Sequence, residues 1–437
     1  MAFQALRGTS DLLADTVKRW STIEHRIRRL AAVYGYQEIR TPIIEDAALF
    51  VRSVGETTDI VQKEMFRFED RGGHDIVLRP EGTASIVRAY LEHNLHKTQG
   101  FAKLYYLGPM FRAERPQAGR FRQFHQFGVE AIGSASPWVD VEVMALVLHI
   151  LRECGVADTS LWITSMGCRD DQARSAARLR ELLAPQKDKL CKQCQERFDK
   201  NVFRVLDCKN PSCHAIAWGA VKGSPARPSL EPGRAPFLLC ADCQAHFDEV
   251  RRGLKASKIA FDDTQVFARG LDYYTRTVFE VRAKGLGAQD AVAAGGRYDL
   301  LVEELGGPST GAFGFAMGLE RLLMAAGEPT EAAAAPRHGV YLAIAQPTLL
   351  NEGFQLAQQL RSRGVAALLD YDGRSLKAQL READKAGVRF VAILGEQELK
   401  QHAITVKDLE QGGAQETVFL NAFGDHITSR LKSTKCH

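Results

Sequence analysis

The sequence predicts an α+β domain, built on an antiparallel sheet flanked by helices, with a mainly helical or irregular insertion and a C-terminal α/β domain. Three observations support this division. The 437 residues are enough for two to four domains of ordinary size. Residues 169–258 lose the hydrophobic periodicity of their surroundings and contain six of the nine cysteines. Residues 337–437 alternate between strand-like and helix-like segments.

The first element is predicted to be a helix. Thr9, Ser10 and Asp11 are helix-capping residue types, and they precede an apolar stripe at helical spacing. The stripe consists of Trp20, Ile23, Ile27, Leu30 and Tyr34. Gly35 ends this helix, and residues 36–42 are predicted to form a strand whose proline favours a strand end or an edge.

The antiparallel sheet is predicted from segments on both sides of the insertion. Residues 104–130 have the pattern of two strands around an arginine-rich loop. Strand-like patterning resumes at 274–281 and continues at 311–318, which precede an apolar helix. We therefore predict that residues 1–168 and 259–326 form one domain, with residues 169–258 inserted between its two parts.

The C-terminal domain is predicted from a change of pattern after residues 327–336, a linker by composition. Apolar, β-branched runs then alternate with helical segments. The runs are 340–345, 365–370 and 390–395, and the helical segments are 354–361 and 376–386. Such alternation is typical of a parallel sheet covered on both faces, so residues 337–437 are predicted to be an α/β domain.

The charge is distributed unevenly along the chain. The total of 57 Lys and Arg against 53 Asp and Glu gives a net charge of only +4. Residues 169–258 carry +7 and residues 337–437 carry +2, which leaves −5 for the rest. No apolar stretch is long enough to cross a bilayer and the N-terminus lacks an apolar signal core, so we expect a cytoplasmic protein with no membrane partner.

The loop within residues 104–130 carries the strongest chemical signal. Arg112, Arg115, Arg120 and Arg122 fall within eleven residues, and arginine presents a planar fork that suits phosphate. An isolated run of arginines is commonly only a solvated loop. Here the second strand also bears Gln126 and Glu130, which are four residues apart and should lie on one face.

Three further motifs carry polar groups in unusual settings. Pro80 and Gly82 form a turn that presents Glu81 and Thr83 close together, although such a turn could simply begin a helix. The segment 269–274 places Arg269, Tyr273 and Tyr274 at the head of a strand. Small residues along 311–318 would admit a flat ligand, and Arg321 lies at the start of the following helix.

The order and wording of these motifs resemble the class II aminoacyl-tRNA synthetases, and within them the histidyl-tRNA synthetase family of bacterial type. Residues 36–46, 111–130 and 311–323 are similar to the three motifs of the class. The segments 269–274 and 295–299 resemble the histidine-specific motifs. The resemblance implies a ligase that joins histidine to tRNA-His with ATP and Mg²⁺, acts as a homodimer, and uses its C-terminal domain to bind the anticodon.

The resemblance also implies roles for individual residues. Arg112, Arg269 and Arg321 would be the catalytic arginines that contact the phosphates of ATP, with Arg120 and Arg122 helping to place the nucleotide. Arg115 and Gln117 would face the acceptor end of the tRNA. The residues implied to bind histidine are Glu81, Thr83, Gln126, Glu130, Tyr273, Tyr274 and Tyr298.

Two alternatives belong to the same structural class. One is a non-enzymatic paralogue that regulates the ATP phosphoribosyltransferase of histidine biosynthesis, but such chains lose catalytic arginines and usually the C-terminal domain. The other is a prolyl, threonyl or glycyl synthetase, against which the 269–274 motif argues. The basic insertion would clamp the acceptor arm of tRNA, or it would be a solvated domain without a partner.

The clustered cysteines leave metal binding open. The spacings Cys191-x-x-Cys194 and Cys240-x-x-Cys243 are typical of paired zinc knuckles, and Cys208, Cys213 and His214 could supply further ligands. Six cysteines exceed the need of one tetrahedral site, and plain thiols are the alternative. The catalytic site itself is predicted to contain no metal ligand among its protein residues.

Overall fold

The chain divides into two compact units, Met1–Gly327 and Glu328–His437. The computed structural model describes residues 3–432 apart from 57, 118, 207, 209, 223–237, 265–266, 268–271, 285, 287–289, 328–336 and 413. The domain boundaries predicted from the sequence are finer than this two-part division and stay predictions. None of the helices in these described ranges is long and apolar enough to span a membrane.

Strands from distant parts of the chain build the first unit. They are β1 (Gln37–Glu38), β2 (Ile44–Asp46), β3 (Phe66–Glu69), β4 (Asp75–Leu78), β5 (Ala102–Phe111), β6 (Gln123–Ile132), β7 (Thr159–Ser165), β8 (Thr275–Ala283), β9 (Ala291–Arg297) and β10 (Ala312–Gly318). Seven of them form a sheet in the order β1-β5-β6-β10-β9-β8-β7, and β2-β4-β3 form a small second sheet. Every neighbouring pair is antiparallel except β1 and β5, which agrees with the predicted fold class.

The first unit also contains twelve helices among its described residues. They are α1 (Ala14–Val33), α2 (Ala47–Val54), α3 (Thr83–Glu92), α4 (Leu95–Thr98), α5 (Pro137–Glu153), α6 (Arg169–Leu183), α7 (Lys192–Lys200), α8 (Phe203–Leu206), α9 (Pro211–Lys222), α10 (Ala241–Ala256), α11 (Leu301–Glu304) and α12 (Leu319–Ala325). A π-helical turn spans Ile60–Glu64, and a 3₁₀-helix spans Ala184–Lys189.

Successive side chains of a strand point to opposite faces of the sheet, so alternate residues of the central strands have different surroundings. On β6, Phe127, Val129 and Ala131 enter a core that also contains residues of α1, α5 and α10. The intervening residues Gln126 and Glu130 lie on the opposite face of the sheet, over which α3 packs. The functional side chains therefore project from a sheet whose other face is anchored by the main core.

Helix α1 shows where the sequence prediction was right and where it was wrong. The stripe from Trp20 to Leu30 is buried, and Gly35 follows the helix with a φ of +80°. The predicted cap is wrong, because the helix begins after Leu13, whose side chain makes no capping hydrogen bond. Thr9 is used instead in a local turn, in which its hydroxyl donates to the Leu6 carbonyl at 2.8 Å.

The insertion has a small core of its own. It contains Leu179, Leu183, Leu190, Cys194, Phe198, Val202, Val205, Leu206, Cys208, Cys213 and Ala217, contributed largely by α6 to α9. Helix α10 differs, because its Val250 and Leu254 are buried in the main core with residues of α5. Asp171 joins the two ends of the insertion, since its carboxylate accepts the backbone N–H of Cys168 at 3.3 Å and that of Cys240 at 2.9 Å.

The second unit contains a mixed sheet in the order β12-β11-β13-β14-β15. Its strands are β11 (Val340–Ile344), β12 (Ala367–Leu369), β13 (Phe390–Leu394), β14 (Ala403–Asp408) and β15 (Gln415–Phe419). Its helices are α13 (Leu350–Ser362), α14 (Leu376–Lys385), α15 (Glu396–Lys400) and α16 (Leu420–Lys432), with a 3₁₀-turn at Pro347–Leu349.

The prediction of a parallel sheet is confirmed for the three strands from which it was made, whereas β14 and β15 were not predicted from the sequence. β11 pairs in parallel with β12 and β13, as expected from the helices between them. β13–β14 and β14–β15 are antiparallel. The links to β14 and β15 are too short for a crossover to a parallel neighbour, which needs about a dozen residues or more.

Candidate active site

A buried cluster of carboxylates and hydroxyls lies on the face of the large sheet that carries α3. The Thr83 hydroxyl donates to Glu130 Oε1 at 2.7 Å, and the Tyr298 hydroxyl donates to Glu130 Oε2. Glu81 caps α3, because its two carboxylate oxygens accept the backbone N–H of Thr83 at 2.8 Å and of Ala84 at 2.9 Å. The turn at 80–82 thus brings Glu81 and Thr83 together, as its sequence predicted.

Glycine makes room for this cluster in the middle of the sheet. Gly314 pairs with Glu130 in the register of β10 and β6, and a Cβ added to Gly314 would lie 2.0 Å from Glu130 Oε2. The small residues of β10 were expected to admit a flat ligand. At Gly314 the space is occupied by the carboxylate of the neighbouring strand, so the glycine allows Glu130 to reach Thr83 and Tyr298.

Burial changes the acid–base properties of the cluster. It raises the pKa of Glu130 to about 8, and Glu81 acts in the same direction while hydrogen bonds from Tyr298 and Thr83 oppose it. Burial also raises the pKa of Glu81, against the effect of its backbone hydrogen bonds. Two carboxylates held together in a low-dielectric site favour a bound cation, because a positive charge would offset the cost of ionising both.

A cavity of about 350 Å³ opens beside this cluster. Its wall includes eight of the residues predicted from the sequence: Glu81, Thr83, Arg112, Arg120, Gln126, Tyr273, Tyr274 and Tyr298. Glu130, also predicted from the sequence, is not part of this wall but accepts hydrogen bonds from two wall residues, Thr83 and Tyr298. Among the described residues, Gln126 Oε1 is buried without a hydrogen-bond partner, so it remains available to a donor on a ligand.

A second cavity, of about 830 Å³, shares the side chains of Arg112, Arg120 and Gln126 with the first. Arg321 also lines it, and the Nε atom of this arginine donates to the Ala291 carbonyl at 2.9 Å. Burial, and then the neighbouring charge of Arg120, lowers the pKa of Arg321. Arg112, Arg120 and Arg321 line the same cavity, and a group of arginines favours binding of a polyanion such as a chain of phosphates.

Backbone and aromatic contacts hold Arg112 in place. Its Nε atom donates to the Pro80 carbonyl at 2.9 Å, and its guanidinium carbon lies 5.2 Å from the centre of the Phe124 ring. Arg120 is oriented by an ion pair with Glu114 at 2.9 Å. Both arginines come from the loop between β5 and β6, so the apolar strands position the cations that the sequence placed between them.

The remaining predicted residues lie elsewhere. Arg122 lines neither cavity and packs against Gly8, where a Cβ would lie 3.0 Å from its Cγ. Arg115 and Gln117 are exposed near the tip of the loop. Arg269 lies outside the residues that the structure describes.

Two arginines near the cavities were not singled out from the sequence, one buried in an ion-pair network and one lining the larger cavity. Arg297 is fully buried and ion-paired with Asp140 at 2.8 Å and Asp299 at 3.0 Å, which fixes the strand end beside Tyr298. Arg282 lines the larger cavity, where its guanidinium carbon lies 3.5 Å from the centre of the Trp162 ring. The available signal for Arg282 was its position between the apolar residues Val281 and Ala283 of a strand, and for Arg297 its position within the 295–299 motif.

The mostly antiparallel sheet, the arginine-bearing loop between β5 and β6 and the β10–α12 unit define the catalytic fold of a class II aminoacyl-tRNA synthetase. The family model described as histidyl-tRNA synthetase matches residues 8–322. The model described as anticodon binding domain matches residues 340–430. The chain belongs to the histidyl-tRNA synthetase family.

Relatives and solved structures agree with this assignment. The chain is 46% identical over 436 residues to the histidine–tRNA ligase of Desulfitobacterium hafniense (strain DSM 10664 / DCB-2), covering 99% of each chain. It is 46% identical over 413 residues to that of Desulforamulus reducens, covering 94% of this chain and 95% of the relative. The crystal structure of apo Staphylococcus aureus histidyl-tRNA synthetase matches with a TM-score of 0.78 and 33% identity, covering 98% of this chain and 100% of that one.

The comparisons give less support to the alternative of a paralogue that regulates ATP phosphoribosyltransferase. A Bacillus halodurans structure described as an ATP phosphoribosyltransferase regulatory subunit/histidyl-tRNA synthetase matches with a TM-score of 0.61. Its identity of 22% shows a shared fold alone. The full-length matches to histidine–tRNA ligases, with the C-terminal unit included, favour the synthetase.

Proposed function

We propose that the protein is a histidine–tRNA ligase, which activates L-histidine with ATP to histidyl-adenylate and pyrophosphate and then transfers histidine to tRNA-His. The observation that carries the proposal is the pair of adjoining cavities. One is small and contains buried carboxylates and hydroxyls, and the other is larger and lined by arginines together with carboxylates. Membership of the histidyl-tRNA synthetase family supplies the reaction that uses both.

Histidine binds in the smaller cavity. Its ammonium group is a cation, and a cation beside the buried side chains of Glu81 and Glu130 would lower the energetic cost of ionising these carboxyl groups. The neutral imidazole ring has one donor and one acceptor, and Gln126 with the hydroxyls of Tyr273 and Tyr274 offers matching partners. Another amino acid would leave those polar groups unmatched, which is costly in a buried site.

ATP binds in the larger cavity, with Arg112 near the α-phosphate and Arg321 near the γ-phosphate. Attack by the histidine carboxylate on the α-phosphorus brings two anions together and adds charge to the phosphoryl oxygens. Fixed arginines stabilise that charge, because they are positioned before the reaction begins. Arg269, whose position the structure does not describe, would contact the α-phosphate opposite Arg112, while Arg120 would orient the nucleotide. Arg122 was expected to share that role, but it lines neither cavity, so we do not propose it as a nucleotide contact.

Mg²⁺ fits the carboxylates of the same cavity. Glu280 and Asp290 line it, and both are ion-paired to Arg282, at 3.0 Å and 3.3 Å. No protein metal ligand was expected here from the sequence, but Mg²⁺ is usually held through one or two carboxylates together with substrate phosphates, so we propose these two residues as its protein ligands. When bound, the ion would neutralise phosphate charge and help to orient the pyrophosphate leaving group.

The tRNA would contact both units. Arg115 and Gln117, exposed at the loop tip, are proposed to face the acceptor end. The insertion, with its net charge of +7, is proposed to clamp the acceptor arm. The C-terminal unit is proposed to bind the anticodon, because the anticodon-binding model matches residues 340–430.

We also propose a cytoplasmic homodimer. Residues 36–46 resemble the interface motif of the class, and the exposed apolar side chains Ile43, Ile44 and Phe68 lie in or beside the small sheet that this segment joins. Exposed apolar side chains grouped on one surface favour burial against another chain.

The test is histidine-dependent ATP–pyrophosphate exchange by the purified protein, followed by aminoacylation of tRNA-His. Exchange is measured in parallel with histidine, proline, threonine and glycine. A ligase of this specificity exchanges pyrophosphate with histidine alone and then charges tRNA-His. Absence of exchange with every amino acid would favour the regulatory paralogue, and exchange with one of the other three would favour another class II synthetase.

A further inference from the structure

Four cysteines of the insertion converge on one point. Cys191 precedes α7, Cys194 lies within α7, Cys208 follows α8 and Cys213 lies within α9. Their sulfur atoms all lie within 4.8 Å of one another, and Cys191 Sγ is 4.0 Å from Cys208 Sγ. In a tetrahedral zinc site with Zn–S bonds of about 2.3 Å, sulfur atoms are about 3.8 Å apart. The observed arrangement is close to that geometry.

The spacing of the six clustered cysteines in the sequence left their grouping open. In the structure they fall into two separate groups. The second CxxC pair, Cys240 and Cys243, joins Cys168 and Asp171 in a separate group. There the carboxylate of Asp171 already accepts two backbone N–H groups and an ion pair from Arg174. The first group has four thiols and no carboxylate, which is the softer ligand set and the one that favours Zn²⁺.

The surroundings of the four thiols also favour a metal over inert packing. Cys194, Cys208 and Cys213 are three of only eleven buried residues in the core of the insertion, as far as the structure describes it. Small cores of this kind commonly depend on a metal or on disulfides for stability. The eight cysteines that the structure describes are free thiols, so no disulfide supplies that stability among them.

We propose that Cys191, Cys194, Cys208 and Cys213 bind one structural Zn²⁺ ion. Binding replaces the four thiol protons by four Zn–S bonds, and the protons are released to solvent. The backbone N–H of Cys191, 3.1 Å from Cys213 Sγ, remains as a hydrogen bond to a ligating sulfur. Such hydrogen bonds stabilise the negative charge of metal-bound thiolates.

The site would fix one wall of the larger cavity. Cys191 and Cys208 line that cavity together with Arg112 and Arg321. Helix α7 also reaches the main body through the ion pair between Arg197 and Asp59 at 2.9 Å. Zinc would therefore join α7, α8 and α9 into one rigid element beside the proposed ATP site.

The test compares the zinc content of the purified full-length wild type with that of two variants, by elemental mass spectrometry. Cys208→Ser removes one proposed ligand. Cys154→Ser is the matched control, because Cys154 is also a buried free thiol but lies in the main core. We expect Cys208→Ser to lose one equivalent of zinc per chain relative to the wild type, and Cys154→Ser to lose none. Equal zinc content in wild type and Cys208→Ser, or a wild type without zinc, would overturn the proposal.

A second measurement covers the case in which Cys208→Ser does not fold. Cys191 is the most accessible of the four, so Cys191→Ser should disturb the core least. Reconstitution of the wild type with Co²⁺ should give the thiolate charge-transfer and ligand-field bands of a tetrahedral thiolate site. We expect weaker bands in Cys191→Ser, and unchanged bands would contradict the assignment. Both readouts report metal binding alone, so their failure is distinct from a failure to charge tRNA.

Discussion

Glu130 is expected to release a proton when histidine binds. Its pKa, raised from 4.5 to about 8 by burial and by Glu81, implies that ionising it in the empty site costs about 5 kcal/mol more than ionising an exposed glutamate. Between those two values the folded protein binds more protons than the unfolded chain, so the stability of the empty protein falls as the pH rises. A bound ammonium group would offset this cost and return the pKa to a lower value.

The magnitude follows from the pKa. At pH 7.5 a carboxyl with a pKa of about 8 is roughly three-quarters protonated. If histidine binds the ionised form, about 0.8 proton per site is released at that pH, and the release declines toward zero well above pH 8. The release is measured by isothermal titration calorimetry of histidine binding in two buffers that differ in ionisation enthalpy.

Tyr298→Phe provides the companion measurement. The Tyr298 hydroxyl donates to Glu130 and lowers the pKa of that carboxyl, so its removal should raise the pKa and bring proton release at pH 7.5 closer to one per site. Histidine affinity should fall at the same time. Negligible proton release by the wild type at pH 7.5, or the same release by Glu130→Gln as by the wild type, would refute the reasoning.

Three further predictions concern the cavities and the insertion. Arg112→Ala should lower the rate of histidine-dependent pyrophosphate exchange by about 10²–10³, and Arg112→Lys should rescue it poorly because an ammonium cannot form the same fork. Gly314→Ala should raise the KM for histidine at least tenfold, because the new Cβ would lie 2.0 Å from the buried Glu130 carboxylate. Gly219→Ala is the neutral control, because no atom of a neighbouring element lies within 4 Å of the added Cβ. Replacing the exposed Lys189 and Lys192 by alanine should raise the KM for tRNA and weaken its salt dependence without changing exchange, and an unchanged KM would contradict the clamp.

The local chemistry of the site could be predicted from the sequence because it depends on neighbours in the chain. The turn around Pro80 brings Glu81 and Thr83 together within three residues, and the strand period places Gln126 and Glu130 on one face. The bond between Thr83 and Glu130 spans 47 residues, and no pattern in the sequence specified it. It follows from the packing of α3 across β6.

The grouping of the cysteines also depends on tertiary contacts that the sequence pattern did not specify. Their spacing suggested two zinc knuckles, but the grouping of Cys191 with Cys213, and of Cys240 with Cys168, depends on how α6 to α10 pack. Asp171 was not singled out because its role depends on the two ends of the insertion meeting there. Side chains distant in the sequence become neighbours through tertiary packing, which single-sequence patterns do not encode.

The sequence by itself determined the element types, the family and the residue types available for catalysis, because these depend on short-range periodicity and on motif wording. The tertiary structure alone decided that Gly314 makes room for Glu130, that Arg122 packs against Gly8 outside both cavities, and that β14 and β15 run antiparallel to their neighbours. It also decided the raised pKa of Glu130. Burial is a property of the whole assembled core, so a carboxyl acquires that pKa only when strands and helices from distant parts of the chain enclose it.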